Sequence, residues 1–287
     1  MQVVLGGVRG TSPVSDRNFA HYGGATTCVL VEDGAGTRIV VDAGTGLRML
    51  EPRLAPVEAT APVLMLFTHY HLDHLIGLPS FAPLYNPDWQ IVFAAPVREG
   101  VTAEMALGRL IAAPFWPVAF RAQQRYIVLP QACDDAPFRH GPFDVRWCAV
   151  HHDNGCHAYR IDARDSGTSM VFATDVEWGA SDAAQRAAFL RLCRQPSPVD
   201  LLIMDGHLDA AAGARFSGWG HSTWQDAVRV AKAADAGQLI VTHHAPEADD
   251  HLLARRAGDL EVAAAQAGLP RACLAREGME IALVRAR

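Results

Sequence analysis

Between Thr68 and His74 the chain reads Thr-His-Tyr-His-Leu-Asp-His, placing three imidazoles and a carboxylate within six residues. Neutral imidazole and carboxylate together suit zinc, manganese or iron, whereas calcium alone prefers an oxygen shell. Four ligand-type side chains this close do not all face one ion. Alternation along an extended chain sends His69 and His71 one way and Asp73 and His74 another, so two adjacent metal positions are expected. The apolar run Val63 to Phe67 directly before the motif reads as a buried strand. The ligands would then stand at a strand end, on a loop held by a rigid scaffold.

Three other places share this logic. His151 and His152 follow the strand-like run Phe143 to Val150, Asp175 follows Val171 to Thr174, and His243 and His244 follow Leu239 to Thr242. Each is weak by itself, because a lone histidine at a strand end is more often a hydrogen-bonded residue than a ligand. Taken with the first motif, they complete two coordination shells. Asp42 ends the run Arg38 to Val41 inside Asp-Ala-Gly-Thr-Gly. These glycines do not form the Gly-x-Gly-x-x-Gly pattern of a dinucleotide site. A tight turn fits better, with Asp42 accepting a hydrogen bond from a ligand histidine and fixing its tautomer. His221 lies in Gly-Trp-Gly-His-Ser-Thr-Trp, a glycine-rich loop before a helix that Ser222 or Thr223 would cap.

The elements that must position these residues follow from periodicity and turn signals. Strands are expected at Gln2 to Leu5, Thr27 to Glu32, Arg38 to Val41, Val63 to Phe67 and Gln90 to Ala94. A second series runs Tyr126 to Leu129, Phe143 to Val150, Ala158 to Asp162, Ser169 to Ala173, Leu201 to Met204, Leu239 to Thr242 and Glu280 to Val284. Helices are expected at Leu75 to Tyr85, Val97 to Ile111, Asp182 to Arg194, Thr223 to Ala234 and His251 to Ala267, with a rigid loop at Ala113 to Val118. Two strand-rich halves, each with helices, predict two sheets packed face to face with helices outside. No linker or charge block divides the chain, so a single domain over residues 1–287 is expected.

Half the residues are apolar and 20% are charged, ordinary for a protein with a sizeable core. A net charge of -6 argues against a broad surface for long nucleic acid. It leaves small anionic substrates open, because bound dications dominate a local field. The six cysteines show no Cys-x-x-Cys pair and no disulfide framework, and they read as reduced. With no signal-type start and no membrane-length apolar run, a cytoplasmic location is expected.

Several motifs together resemble one family. They are Gly7 to Pro13, Tyr22-Gly23-Gly24, Asp42 to Arg48, the histidine loop, His152 to Gly155 with Tyr159 to Ile161, Ala173-Thr174-Asp175, Gly218 to Trp224, and Thr242-His243. The chain is similar to metallo-β-lactamase-fold hydrolases of the phosphodiesterase branch, which includes tRNA 3′-processing endonucleases and small cyclic-phosphate phosphodiesterases. The resemblance implies an α/β fold, a four-layer αββα sandwich of the metallo-β-lactamase type. It assigns His69, His71 and His152 to one metal, Asp73, His74 and His243 to the other, and Asp175 as the carboxylate bridging both. His152 is preferred over His151, and His243 over His244, by the family spacing.

The resemblance also implies a function: hydrolysis of a small phosphodiester with two divalent ions, Zn2+ or Mn2+, most readily a cyclic nucleotide or cyclic phosphate. Asp73 and Asp175 would hold the ions. His221 would protonate the leaving alkoxide, with Trp219 and Trp224 walling a base or ring. A homodimer is implied by resemblance alone. Two departures from the family pattern, Ala25 and Asp153, bear on substrate identity; Asp153 stands where it could orient a ligand. The competing readings are a tRNA-processing endonuclease, a thioester or lactone hydrolase using the same metals, and a non-catalytic metal-binding protein. A tRNA-gripping arm has little room between Tyr159 and Asp175.

Overall fold

A computed structural model describes residues 1–54, 62–118, 124–133 and 136–284. The first sheet is built from β1 (Gln2–Gly7), β2 (Cys28–Glu32), β3 (Arg38–Val41), β4 (Val63–Leu66), β5 (Ile91–Pro96) and β6 (Arg125–Leu129). The second uses β7 (Phe138–His140), β8 (Phe143–Val150), β9 (Cys156–Ala163), β10 (Thr168–Ala173), β11 (Leu201–Asp205), β12 (Leu239–Thr242) and β13 (Ala272–Leu274). The last strand, β14 (Glu280–Ala282), returns to the first sheet beside β1, giving two seven-stranded sheets. Strand order is β14-β1-β2-β3-β4-β5-β6 in one and β13-β12-β11-β10-β9-β8-β7 in the other.

Alternation of side chains explains the layering. Val3, Leu5, Leu64 and Leu66 of the first sheet join Phe143, Ile161, Phe172 and Ile203 of the second in a core between the sheets. The intervening positions face outward: Val4, Met65 and Phe93 pack under α1 (Leu47–Leu54) and α2 (Ala103–Leu110). Val171, Leu202 and Val241 pack under α3 (Ala183–Arg194), α5 (Trp224–Ala233) and α6 (Asp250–Ala267), while the short α4 (Ala210–Arg215) lies in a connection. The result is a helix–sheet–sheet–helix sandwich of the metallo-β-lactamase type. Strands β3 to β6 run parallel, as do β10 to β13, so their C-terminal ends line up along one rim, the usual ligand-binding place for parallel strands.

The expected helix over Leu75 to Tyr85 is instead a series of short 3-10 turns, Leu72–His74, Leu78–Ser80 and Ala82–Tyr85. Pro79 and Pro83 have no N–H to donate, so a continuous ladder of four-residue bonds cannot form. The helix expected from Val97 begins later, where Thr102 accepts the Met105 N–H as its cap; Arg98 and Val101 form a turn before it. Thr223, not Ser222, caps α5, through a reciprocal capping box with Asp226. α1, α4, β7 and β13 were not anticipated. Among the described residues no helix is long and apolar enough to cross a membrane.

Candidate metal centre

Six strand ends deliver the cluster. β3 leads into Asp42, β4 into His69, His71, Asp73 and His74, β8 into His152, β10 into Asp175, β11 ends in Asp205, and β12 leads into His243. Asp42, Asp175 and His243 all adopt the left-handed backbone region, with φ of 60°, 55° and 62°. Such strain at non-glycine residues is held in place only by surrounding structure, and it turns each chain sharply so that the side chain projects over the rim.

The side chains gather as two groups with one shared member. Donor atoms of His69, His71 and His152 lie within 4.8 Å of one another, as do those of Asp73, His74 and His243. Asp175 stands between them. Its Oδ1 is 3.7 Å from His152 Nε2, 3.9 Å from His69 Nε2 and 3.2 Å from His243 Nε2, and its Oδ2 is 3.0 Å from His74 Nε2. All seven residues singled out for metal binding are therefore brought together; the same spacing also groups His69 with His74 and Asp175, and His221 with Asp175, Asp205 and His243.

Outer hydrogen bonds aim these rings. Asp42 accepts the Thr68 N–H and hydroxyl, both at 2.8 Å, and the His74 Nδ1–H at 2.8 Å. Its carboxylate thus both braces the motif and fixes the His74 tautomer with Nε2 inward. The His152 Nδ1–H donates to the Gly220 carbonyl at 3.0 Å, so Asp153, which is exposed, does not orient that ring. His243 Nδ1 meets the Thr27 hydroxyl at 3.0 Å, and Asp73 accepts the Thr11 N–H at 2.8 Å.

Four inward atoms, His69 Nε2, His74 Nε2, His243 Nε2 and Asp175 Oδ2, are buried with no hydrogen bond of proper geometry. Buried polar atoms left this way are rare and call for an ion or other partner. The electrostatics differ between the two groups. Burial pushes the His69 and His71 imidazoles down, and neighbouring imidazoles push further, leaving them neutral as ligation requires. For Asp175, burial works to raise the carboxyl, but His243, His74 and His69 outweigh it and hold it well below the usual range. Burial lowers His74, yet Asp73, Asp175 and Asp42 overcome this and hold it well above normal, so the pocket demands positive charge beside its Nε2. The residues present fit two divalent ions.

His221 borders the cluster. Its Nδ1–H donates to Asp205 Oδ2 at 3.0 Å and its ring stacks on His207 at 4.2 Å. Burial would lower its pKa, but Asp205 outweighs burial and raises it to about 9. Asp205 and His207 were missed from sequence, although Leu-Leu-Ile-Met-Asp205-Gly-His207 has the same strand-then-acid signal that marks Asp175. The cluster opens into a cavity of about 750 Å³ lined by Asp73, Asp175, His221, Phe216, Trp219 and Arg256. Trp219 is exposed on its wall, whereas Trp224 is buried in the helix-side core and walls nothing. His151 is half-buried, with its backbone carbonyl accepting the Glu177 N–H; His157 bonds the Gln131 carbonyl and His244 the Ala275 carbonyl, both away from the cluster.

Glu177 holds the His221 loop. Its buried carboxylate accepts the N–H groups of Gly218 at 2.8 Å and Gly220 at 2.9 Å. Gly220 has φ of 82°, and a Cβ there would lie 2.1 Å from His152 Nδ1, so only glycine lets its carbonyl reach that ring. Glu177→Ala is expected to weaken metal retention about 10–100-fold, the usual effect of losing an outer support, while the sheets stay folded. Chelator competition followed by circular dichroism checks this; unchanged retention would remove the support role.

Comparison with known proteins agrees with this architecture. The sequence signature of the beta-lactamase superfamily domain matches residues 37–244. Ribonuclease Z of Pyrobaculum neutrophilum is 26% identical over 277 residues, covering 85% of this chain and 86% of that protein. The crystal structure of the metallo-beta-lactamase fold protein YhfI from Bacillus subtilis superposes with a TM-score of 0.69 at 20% identity, covering 98% of this chain and 99% of the other. Human tRNase Z, short form, gives a TM-score of 0.66 at 19% identity over 98% and 99% of the two chains.

Proposed function

The chain belongs to the beta-lactamase superfamily, and on that premise we propose that it is a metal-dependent phosphodiesterase acting on a small phosphodiester. The observation carrying this reading is the double ligand group joined by Asp175, with the His221–Asp205 pair over the same cavity. His69, His71 and His152 would hold one ion, Asp73, His74 and His243 the second, and Asp175 both. Two divalent ions, when bound there, would supply an activated water at neutral pH and charge neutralisation for the phosphoryl oxygens. His221 donates its Nε2 proton to the departing ester oxygen, while Asp205 keeps the ring oriented. Arg256 also lines this cavity, its guanidinium donating to the His207 carbonyl and lying 3.7 Å from the Asp209 carboxylate. Trp219 offers a ring face to a base, a contact contributing about 1–3 kcal/mol.

Cyclic nucleotides and cyclic phosphates are the first substrate candidates. A second reading, tRNA 3′ processing, is favoured by the relative named ribonuclease Z. Against it, β9 and β10 are joined by a tight hairpin, leaving no arm between His152 and Asp175 to grip RNA. Zinc or manganese as the ions, a cytoplasmic location and a homodimer belong to the same proposal. The test is a hydrolysis screen of purified, metal-analysed protein against cyclic and linear diesters, a precursor tRNA, a thioester and a lactone. A kcat/KM on cyclic mononucleotides well above that on tRNA is expected. Site-specific tRNA cleavage with little diester turnover would select the second reading, and lactone or thioester turnover alone would reject both.

A further inference from the structure

A second cavity lies beside the cluster and the proposed chemistry does not use it. It measures about 780 Å³. His71 and Leu72 line both this cavity and the one holding His221, so they form the partition between the two. His69 and Asn154 complete the side facing the cluster. Much of the remaining lining is apolar, including Tyr70, Ile76, Ala106, Leu110 and Phe115. Phe115 is 77% exposed and Leu72 is 62% exposed. Large apolar side chains held open next to a polar cluster mark a binding surface.

The buried cation here, Arg98, is already engaged. Arg98 lies over the Tyr70 ring at 4.8 Å, and its guanidinium donates to the carbonyls of Pro96, Phe67 and Thr68, closing the end of β4. The cavity therefore has largely apolar and aromatic walls, with one exposed anion, Glu99, and one exposed cation, Arg109, among its lining residues.

A phosphodiester has two ester arms diverging from phosphorus. Hydrolysis breaks the P–O bond to one arm and forms a P–O bond to water. The departing oxygen takes the His221 proton, and the proton lost by the water restores the balance. Because His221 lines the first cavity, the leaving arm lies there. The retained arm points elsewhere, and a second space meeting the cluster lies across the His71–Leu72 partition. We propose that this second cavity is the subsite for the arm that stays on phosphorus, and that it takes an uncharged aromatic arm. Linear diesters with such an arm then join the cyclic ones as substrates. The inference rests on the phosphodiesterase reading.

Two substrates with the same leaving group isolate the subsite: bis(p-nitrophenyl) phosphate, with an aryl retained arm, and methyl p-nitrophenyl phosphate, with a methyl one. Ala106→Trp fills the cavity from α2. It is expected to lower kcat/KM for the bis-aryl diester about tenfold or more, while the methyl diester changes less than about twofold. Phe115→Ala, at an exposed position that cannot upset the core, is expected to raise KM selectively for the bis-aryl diester. Comparing each variant with wild type cancels the unequal intrinsic reactivity of the substrates. Equal effects on both diesters in both variants, with wild-type turnover intact, would overturn the subsite and leave the phosphodiesterase reading standing. No turnover of either diester by metal-replete wild type would overturn both.

Discussion

Asp175→Ala is expected to reduce bound metal from about two ions per chain to about one or fewer. With it, diester hydrolysis should fall by roughly 10³-fold or more, since the ions supply several kcal/mol of charge stabilisation. The reasoning is geometric. Asp175 is the side chain whose carboxylate stands against both groups, with one oxygen toward His69, His152 and His243 and the other toward His74. Removing it leaves each group with three donors and nothing joining them. Asp175 has φ of 55°, which alanine accepts poorly, so some of the loss in the alanine variant is backbone strain. Asp175→Asn separates the two effects, because asparagine tolerates this conformation while losing the charge. Elemental analysis after mild purification, alongside activity, decides. Two equivalents of metal and undiminished turnover in the asparagine variant would refute the bridging role.

Much of this site is readable in the sequence because its donors are local to strand ends. An apolar run followed by histidine or aspartate is visible in one dimension, and the rim of parallel strands then collects such ends in space. His69 to His74 and Asp175 stand out in that way, as do the pairs His151–His152 and His243–His244, within which the family resemblance selects His152 and His243. Strand alternation does not by itself yield the grouping expected of the histidine loop, since a strict period of two would place Asp73 with His69 and His71. The motif leaves β4 at Leu66 and becomes a loop and a 3-10 turn, so neighbouring strand ends, and not a period of two, divide the ligands.

The omissions have physical causes as well. The strand expected to stop at Met204 runs one residue further and hides Asp205 at its end, so the partner of His221 went unseen. Glu177 acts on Gly218 and Gly220 through space, about forty positions along the chain, and no local signal reports such a bond. Trp219 and Trp224 look equivalent in sequence. Trp224 is the first residue of α5 on its inward face, while Trp219 lies in the loop before the helix. Proline misleads in both directions: Pro79 and Pro83 break an expected helix, whereas Pro52 sits inside α1. The three-residue edge strands β7 and β13 are too short for any period to show.

His221→Ala is expected to keep its metals and lose about 10²–10⁴-fold in kcat on a diester with an alkoxide leaving group, the range for a positioned general acid. Both metal groups are complete without His221, since each draws three donors from other residues and shares Asp175. The ring is instead held from behind by Asp205 and sandwiched against His207, which leaves Nε2 as its available nitrogen toward the cavity. At neutral pH that arrangement keeps the proton on the ring, because the Asp205 carboxylate outweighs burial. The loss should shrink sharply for p-nitrophenolate, which departs without needing a proton. Asp205 is a poorer probe than His221 itself. It also accepts the backbone N–H groups of Asp175 and His207, so Asp205→Asn would disturb the metal side and the acid side together. The informative measurement is therefore the ratio of alkyl to p-nitrophenyl turnover in wild type and in His221→Ala at matched metal content. A ratio that falls by about two orders of magnitude or more supports the acid role. A ratio that stays constant, with both substrates slowed equally, would mean that His221 orders the site and transfers no proton.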